Sequence, residues 1–201
     1  MSKPTDITAT LRCKIAILGD CMVGKTALIS MFKSKKQKFP KEYQLTHDVD
    51  ISTVEVLIPD TTISVQMYIY DTSGNDLYKD QLAAYWNGIY YAILVYDVSN
   101  FASFDSCKQW FETLKQARVN KDRAIKVVLC GTKTDLPKQR HAVTAETAEK
   151  FAESIGAEHI RVSSLPPGED VENPFMVIAK TLHKNYEDSV ASFKTACGNY
   201  T

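Results

Sequence analysis

Gly19-Asp20-Cys21-Met22-Val23-Gly24-Lys25-Thr26, with Cys13-Lys14-Ile15-Ala16-Ile17-Leu18 before it and Ala27-Leu28-Ile29-Ser30-Met31-Phe32 after it, decides the fold of this chain. The run before the motif reads as a buried strand, and the run from Thr26 to Phe32 reads as an amphipathic helix. Between them stands the pattern G-x-x-x-x-G-K-[ST], whose glycines let the backbone bend until successive N–H groups surround a phosphate. The helix N-terminus adds its partial positive charge. In that context Lys25 reaches the β- and γ-phosphates of a nucleotide, and the Thr26 hydroxyl ligates Mg²⁺. Gly19, Asp20, Cys21, Met22, Val23, Gly24, Lys25, Thr26 and Ala27 are therefore expected to line a nucleotide site. A chance glycine-rich turn before a helix would not account for Lys and Thr both standing in place.

Outward from this unit, strands and helices alternate. Ile51 to Ile58 and Ile63 to Tyr70 flank the turn Pro59-Asp60-Thr61-Thr62, which predicts a hairpin. A helix is expected near Asp76 to Trp86, then a buried strand from Tyr91 to Tyr96. The next helix carries Phe104, Cys107, Phe111 and Leu114 at helical spacing. Ile125 to Cys130 reads as a strand, Thr144 to Ile155 as a helix capped by Thr144 and ended by Gly156, and His159 to Val162 as a short strand. Asn173 and Pro174 open the last helix. Such alternation predicts an α/β fold with a mostly parallel sheet, helices on both faces, and ligands at the C-terminal strand ends. The hairpin supplies one antiparallel strand.

Composition fits one such domain. The 201 residues are 44% hydrophobic, enough for one sizeable core, and no Pro/Gly/Ser-rich linker divides them. Lys+Arg equals Asp+Glu at 24 each, so no global charge points to nucleic acid or an anionic membrane. Five scattered cysteines, Cys13, Cys21, Cys107, Cys130 and Cys197, argue for reduced thiols rather than a disulfide framework. No apolar stretch is long enough to span a bilayer, and neither Met1-Ser2-Lys3-Pro4 nor Cys197-Gly198-Asn199-Tyr200-Thr201 matches a lipidation signal. A soluble protein without a lipid anchor is expected. Lys33 to Lys38 reads as a solvated loop rather than a contact for acidic partners.

Three further segments fall at strand ends. In Tyr70-Asp71-Thr72-Ser73-Gly74, Asp71 is placed to hold Mg²⁺ through a water and the Gly74 N–H to reach a γ-phosphate. By itself, an Asp ending a strand is as readily a helix cap. In Gly131-Thr132-Lys133-Thr134-Asp135, the Asp135 carboxylate matches the paired N1–H and 2-amino donors of guanine, which adenine lacks. The aliphatic stem of Lys133 would cover one face of the base. The bland reading of this segment is a solvated polar turn. Val162-Ser163-Ser164-Leu165 is uninformative alone.

In this order, the four segments resemble those of the Ras-like small GTPases, particularly the Rab branch, and the likeness runs from about Arg12 to the final helix. It implies a P-loop G domain over residues 11–183, with a six-stranded sheet containing one antiparallel strand. Residues 1–10 would be an N-terminal extension, and 184–201 an extension of the last helix that binds a partner. The cofactors it implies are GTP or GDP with Mg²⁺, held by Thr26, Asp71 and Thr46. The backbone of Ser163, Ser164 and Leu165 would read the guanine carbonyl beside Thr132, Lys133 and Asp135. Departures stand beside the matches. Asp48 occupies a usual Gly position, Asn75 replaces the Gln that orients the attacking water, and Cys21 and Met22 replace small residues. Thr132 replaces the usual Asn, and Leu165 a Lys. Slow hydrolysis is the expectation, with Lys25 and a weak Asn75 as the catalytic candidates.

Asp6 to Lys14, Tyr85 to Gly88, Thr134 to Pro137, Gln139 to His141 and Asn185 to Asp188 resemble, within that family, the Rab-like GTPases of intraflagellar transport. This likeness implies residence in cytoplasm and cilium or flagellum, other transport-complex subunits as partners, and a small β-sandwich partner on the last helix. That helix carries Phe175, Ile178, Leu182, Tyr186, Val190, Phe193 and Cys197 at spacings of three and four, a longer stripe than the sheet can cover. Tyr186, Val190 and Phe193 are its expected contact residues, unless a short N-terminal segment folds back over them. Two functions follow: a nucleotide-responsive adaptor, or a signalling or trafficking enzyme whose turnover an activating protein stimulates. A kinase would leave Thr132 to Asp135 unexplained.

Overall fold

The computed structural model describes residues 7–42, 44–75, 78–117 and 123–198. Its sheet contains β1 (Ala9–Leu18), β2 (Val49–Leu57), β3 (Ile63–Thr72), β4 (Tyr91–Asp97), β5 (Lys126–Thr132) and β6 (Glu158–Arg161), in the order β2-β3-β1-β4-β5-β6. β2 runs antiparallel to β3, and every other neighbouring pair is parallel. The helices are α1 (Lys25–Lys33), α2 (Lys79–Leu82), α3 (Phe101–Ala117), α4 (Ala145–Ser154) and α5 (Asn173–Gly198).

Alternating side chains of the central strands feed two cores. Ile15, Ile17, Met67, Ile93 and Val128 face α1 and α5, where the rings of Phe32 and Phe175 stack at 3.9 Å. Ala16, Leu18, Leu94 and Leu129 face α3 and α4 through Phe104, Cys107, Trp110 and Ala148. Every residue of β4 is buried, as a strand covered on both faces requires. Each such Leu, Ile or Phe side chain stabilises the fold by about 1.5–3 kcal/mol. These two layers fix the C-terminal strand ends rigidly enough to carry a site.

Some boundaries differ from the sequence reading. β1 starts at Ala9, ahead of its apolar run, because polar partners on β3 hold the extension: Thr10 Oγ1 lies 2.9 Å from Ser64 Oγ, and Arg12 Nε donates to Gln66 Oε1 at 3.0 Å. The helix expected over 76–86 contracts to α2 and the 3₁₀ turn Ala83–Tyr85, with Asp76 and Leu77 outside the described residues. Leu82 and Trp86, its apolar anchors, are nonetheless fully buried. Thr144 caps α4 by accepting from Thr147 N, and Gly156 closes it at φ +66°.

α5 spans 26 residues, about 39 Å, which exceeds the sheet it packs on. Phe175 and Ile178 are buried and Val190 half-buried, whereas Tyr186 is 38% and Phe193 70% exposed. The N-terminal segment that was the alternative cover, residues 1–6, lies outside the described residues. Among the described residues, no helix is long and apolar enough to cross a membrane.

Candidate nucleotide site

The loop after β1 is built by its glycines. Gly19 has φ +144°, and a Cβ there would lie 2.2 Å from Val95 O, so no other residue fits. Met22 also adopts a positive φ of 64°, and Gly24 at φ +102° leads into α1. Lys25 is buried, and its Nζ donates to Gly19 O and Asp20 O, both at 2.7 Å. Burial lowers its pKa against the opposing pull of Asp71, Cys21 and Asp20. The loop is also held from the side, since Trp110 Nε1 of α3 donates to Asp20 Oδ1 at 2.8 Å. Gly74 lies directly on it: a Cβ there would meet Asp20 C at 2.3 Å and Cys21 N at 2.4 Å. The Asp71–Gly74 turn and the phosphate loop are thus in backbone contact, which no side chain at Gly74 would permit.

Three oxygens from three separate segments meet beside Lys25. Thr26 Oγ1 donates to Asp71 Oδ2 at 2.7 Å and lies 3.3 Å from Thr46 Oγ1. Asp71 is 4% exposed, and its other oxygen, Oδ1, is buried with no hydrogen-bond partner in the protein. Burial raises the Asp71 pKa; the Thr26 hydrogen bond and Lys25 oppose the rise. A hard divalent cation takes such oxygen donors, and an orphaned buried carboxylate oxygen is the group it would satisfy. The residues therefore fit Mg²⁺. Asn75 stands half-buried after Gly74, its N–H donating to Ser73 Oγ at 3.3 Å. A cavity of about 660 Å³, whose lining includes Cys21, Lys25, Thr26, Thr46, Gly74 and Lys133, opens here. Val23 packs in the core beneath it, and Met22 and Ala27 flank the opening.

The position after Thr46 carries an unexpected tie. Asp48 O accepts from Ser73 N at 2.8 Å, and Asp48 Oδ2 accepts from the Tyr85 hydroxyl at 2.9 Å. The hydrogen bond and the charge of Asp48 hold the Tyr85 phenol above its ordinary pKa. A side chain where the family uses Gly thus joins the segment after Thr46 to the one after Asn75.

At the next strand end, Thr132 is 1% exposed, and its Oγ1 lies 2.5 Å from Val23 O and 3.0 Å from Tyr96 O. The hydroxyl in place of the usual Asn therefore fastens β5 to the phosphate loop. Lys133, at φ +63°, sets its Nζ 2.5 Å from Asp97 Oδ2. Burial would raise the Asp97 pKa, but hydrogen bonds from Lys133 and Ser99 outweigh it and hold the carboxyl below its usual range. Asp135 is exposed toward solvent, with Oδ1 accepting from Ser163 Oγ at 2.6 Å; Ser163 Oγ in turn accepts from Leu165 N at 3.2 Å. Ser164 Oγ is buried without a partner, and Leu165 is half exposed. Arg161 Nη2 is 2.9 Å from His141 Nδ1, and His141 Nε2 is 2.8 Å from Leu136 O. Arg only donates, so Nδ1 accepts and Nε2–H donates to Leu136 O.

Each residue expected in the site lies at this one edge of the sheet. Sequence reading missed Trp110, Asp97, Tyr85 and the tie that Asp48 makes to Ser73 and Tyr85. Only an Asp at the end of a buried strand, the pattern of Asp97, offered a local signal.

A sheet of this order with these turns at its strand ends defines a small GTPase, and the chain belongs to the Ras family, whose model matches residues 14–184. It is 54% identical to intraflagellar transport protein 27 of Chlamydomonas reinhardtii over 198 residues, 98% of this chain and 97% of the relative. It is 37% identical to the intraflagellar transport protein 27 homolog of Mus musculus over 92% of this chain and 97% of that one. The Ypt/Rab-type GTPase YPT7 of Saccharomyces cerevisiae shares 32% identity over 89% of this chain and 85% of its own.

Proposed function

We propose that this chain is a Rab-like GTP-binding subunit of an intraflagellar transport complex, acting in cytoplasm and cilium or flagellum as a nucleotide-responsive adaptor. The transport assignment is carried by 54% identity to intraflagellar transport protein 27 across nearly both whole chains. In this reading the N–H groups of Gly19 to Ala27 and the Lys25 ammonium hold the phosphates. Thr26, Asp71 and Thr46 would hold Mg²⁺, which would supply charge neutralisation of the phosphates. Asp135 accepts from the guanine edge, the Lys133 stem packs on the base, and the Ser163 to Leu165 backbone meets the carbonyl. The Ser163 hydroxyl keeps one Asp135 oxygen oriented for that task.

Hydrolysis is slow because Asn75 reaches less far than Gln toward an attacking water, and the Cys21 side chain crowds the approach of an arginine finger. Intrinsic turnover lies at or below the unassisted Ras-type rate of roughly 10⁻⁴ s⁻¹. The exposed end of α5, with Tyr186, Val190 and Phe193, docks a small β-sandwich subunit of the complex. Purification from ciliated cells, with chromatography of the released nucleotide, tests the reading. GTP or GDP at one equivalent, with transport-complex subunits co-purifying, is expected. Adenine nucleotide, or turnover of several per minute without a partner, would replace the adaptor with another enzyme class. Val190→Asp with Phe193→Asp abolishes co-purification of the β-sandwich subunit while nucleotide stays bound.

A further inference from the structure

At the opposite end of the sheet from the nucleotide site, β1 has an open edge. β1 pairs with β3 from Ala9 to Ile17, but with β4 only from Ile15 onward. Along Ala9 to Lys14, therefore, a strand lies on one side only, among the described residues. Backbone N–H and C=O groups of alternate residues face the open side, which is the template for an added strand. The opening is a cavity of about 690 Å³, walled by the start of β4 at Tyr90 and Tyr91 and by α5 at Leu182 and Asn185.

The chemistry of the walls is one-sided. Arg12, Lys14, Arg123 and Lys126 line the cavity, and among the described residues no Asp or Glu does. In a chain whose charges balance overall, this clustering is local. The two faces of β1 also differ. Leu11 and Cys13 belong to the core face packed by α5, with Tyr91 and Leu182 beside them, whereas Arg12 and Lys14 alternate onto the other face. A strand laid along this edge would thus have one face toward Arg12 and Lys14 and the other toward Cys13, Tyr91 and Leu182, on whose side of the sheet Lys126 also lies by its register with Tyr91.

We propose that this slot binds an extended acidic peptide segment of a partner as an added β-strand, with Glu or Asp at alternate positions and apolar residues between them. Main-chain hydrogen bonds to Ala9–Lys14 supply affinity, and the Arg12 and Lys14 charges select the acidic face. The site lies apart from the nucleotide, and its α5 wall, Leu182, Asn185 and Ser189, adjoins Tyr186 and Val190.

The test uses the full chain and a fluorescein-labelled peptide, Glu-Val-Glu-Val-Glu-Val-Glu, followed by anisotropy. Saturable binding that weakens about tenfold or more in Arg12→Glu with Lys14→Glu is expected, with circular dichroism unchanged. The same peptide N-methylated at alternate residues along one edge should lose binding to a similar degree, because it no longer donates to β1. Lys14→Glu alone serves as the second arm if the double variant does not fold. Absence of saturable binding overturns the proposal. Equal binding of the methylated peptide overturns the strand geometry and leaves an electrostatic contact. Binding of phosphatidylserine vesicles, lost on charge reversal, without peptide binding would assign the slot to a membrane surface instead.

Discussion

Replacing Thr132 by Val isolates the joint between the phosphate loop and the base-reading strand. The two side chains are nearly isosteric, and the site is 1% exposed, so the change removes a hydroxyl without opening space. It deletes the donor that Val23 O meets at 2.5 Å and Tyr96 O at 3.0 Å. A buried carbonyl left without its partner costs about 1–3 kcal/mol, and burial of the added methyl returns up to about 0.8 kcal/mol of it. The net, about 1–2 kcal/mol, lowers the melting temperature of a domain this size by roughly 2–8 °C. Where the whole loss falls on the loop, release of a fluorescent GDP analogue accelerates about 5–30-fold. Differential scanning fluorimetry at saturating GDP and stopped-flow release read the two effects separately. Thr132→Ser keeps the hydroxyl and should recover most of both. Wild-type melting and release in Thr132→Val would refute the joint; equal damage in Thr132→Ser would assign the role to methyl packing.

Asp135→Asn replaces the acceptor proposed to face guanine with an amide and should shift preference toward xanthine nucleotides, which carry a carbonyl at position 2; competitive titration reads it, and unchanged guanine preference removes Asp135 from the site. Lys133→Met removes the cation beside Asp97. Because the folded Asp97 pKa lies below its ordinary value, its stabilisation is present above the unfolded carboxylate pKa of about 3.9 and disappears as pH falls through the folded value. The variant's acid unfolding midpoint, followed by circular dichroism, moves to higher pH; an unmoved midpoint leaves the ion pair without consequence. Asn75→Gln alone leaves single-turnover hydrolysis within a few-fold of wild type, because Cys21 still flanks the loop, whereas a rise of about a hundredfold or more would make Asn75 the sole cause of slow turnover.

The sheet and the phosphate loop were legible because their signals are local: an apolar run, two glycines at fixed spacing, and a Lys-Thr pair opening a helix. The same holds for the turns carrying Asp71 and Asp135, each placed by the strand ending just before it. What stayed hidden was contact between distant segments. Nothing near Trp110 announces that its indole meets Asp20, and its position on the apolar face of α3 reads only as core. Asp48 is visible as a departure from Gly, but its pairing with Tyr85 depends on how the chain after Asn75 folds back. The role of Thr132 was likewise visible only as a substitution, since spacing does not encode which carbonyl a buried hydroxyl will face. The extension of β1 escaped because its polar alternation is satisfied by Ser64 and Gln66 on a neighbouring strand rather than by burial.

The chain has two tryptophans, and they sit in unlike surroundings. Trp86 is fully buried with its Nε1 unpaired in the protein, while the Trp110 indole is bonded to a residue of the phosphate loop. An indole emits according to the dipoles and hydrogen bonds around it, so Trp110 converts any displacement of Asp20 into a change of fluorescence. The protein carries, without a dye or a tag, its own optical gauge of the nucleotide pocket; a Trp86→Phe variant would leave that signal alone in the spectrum.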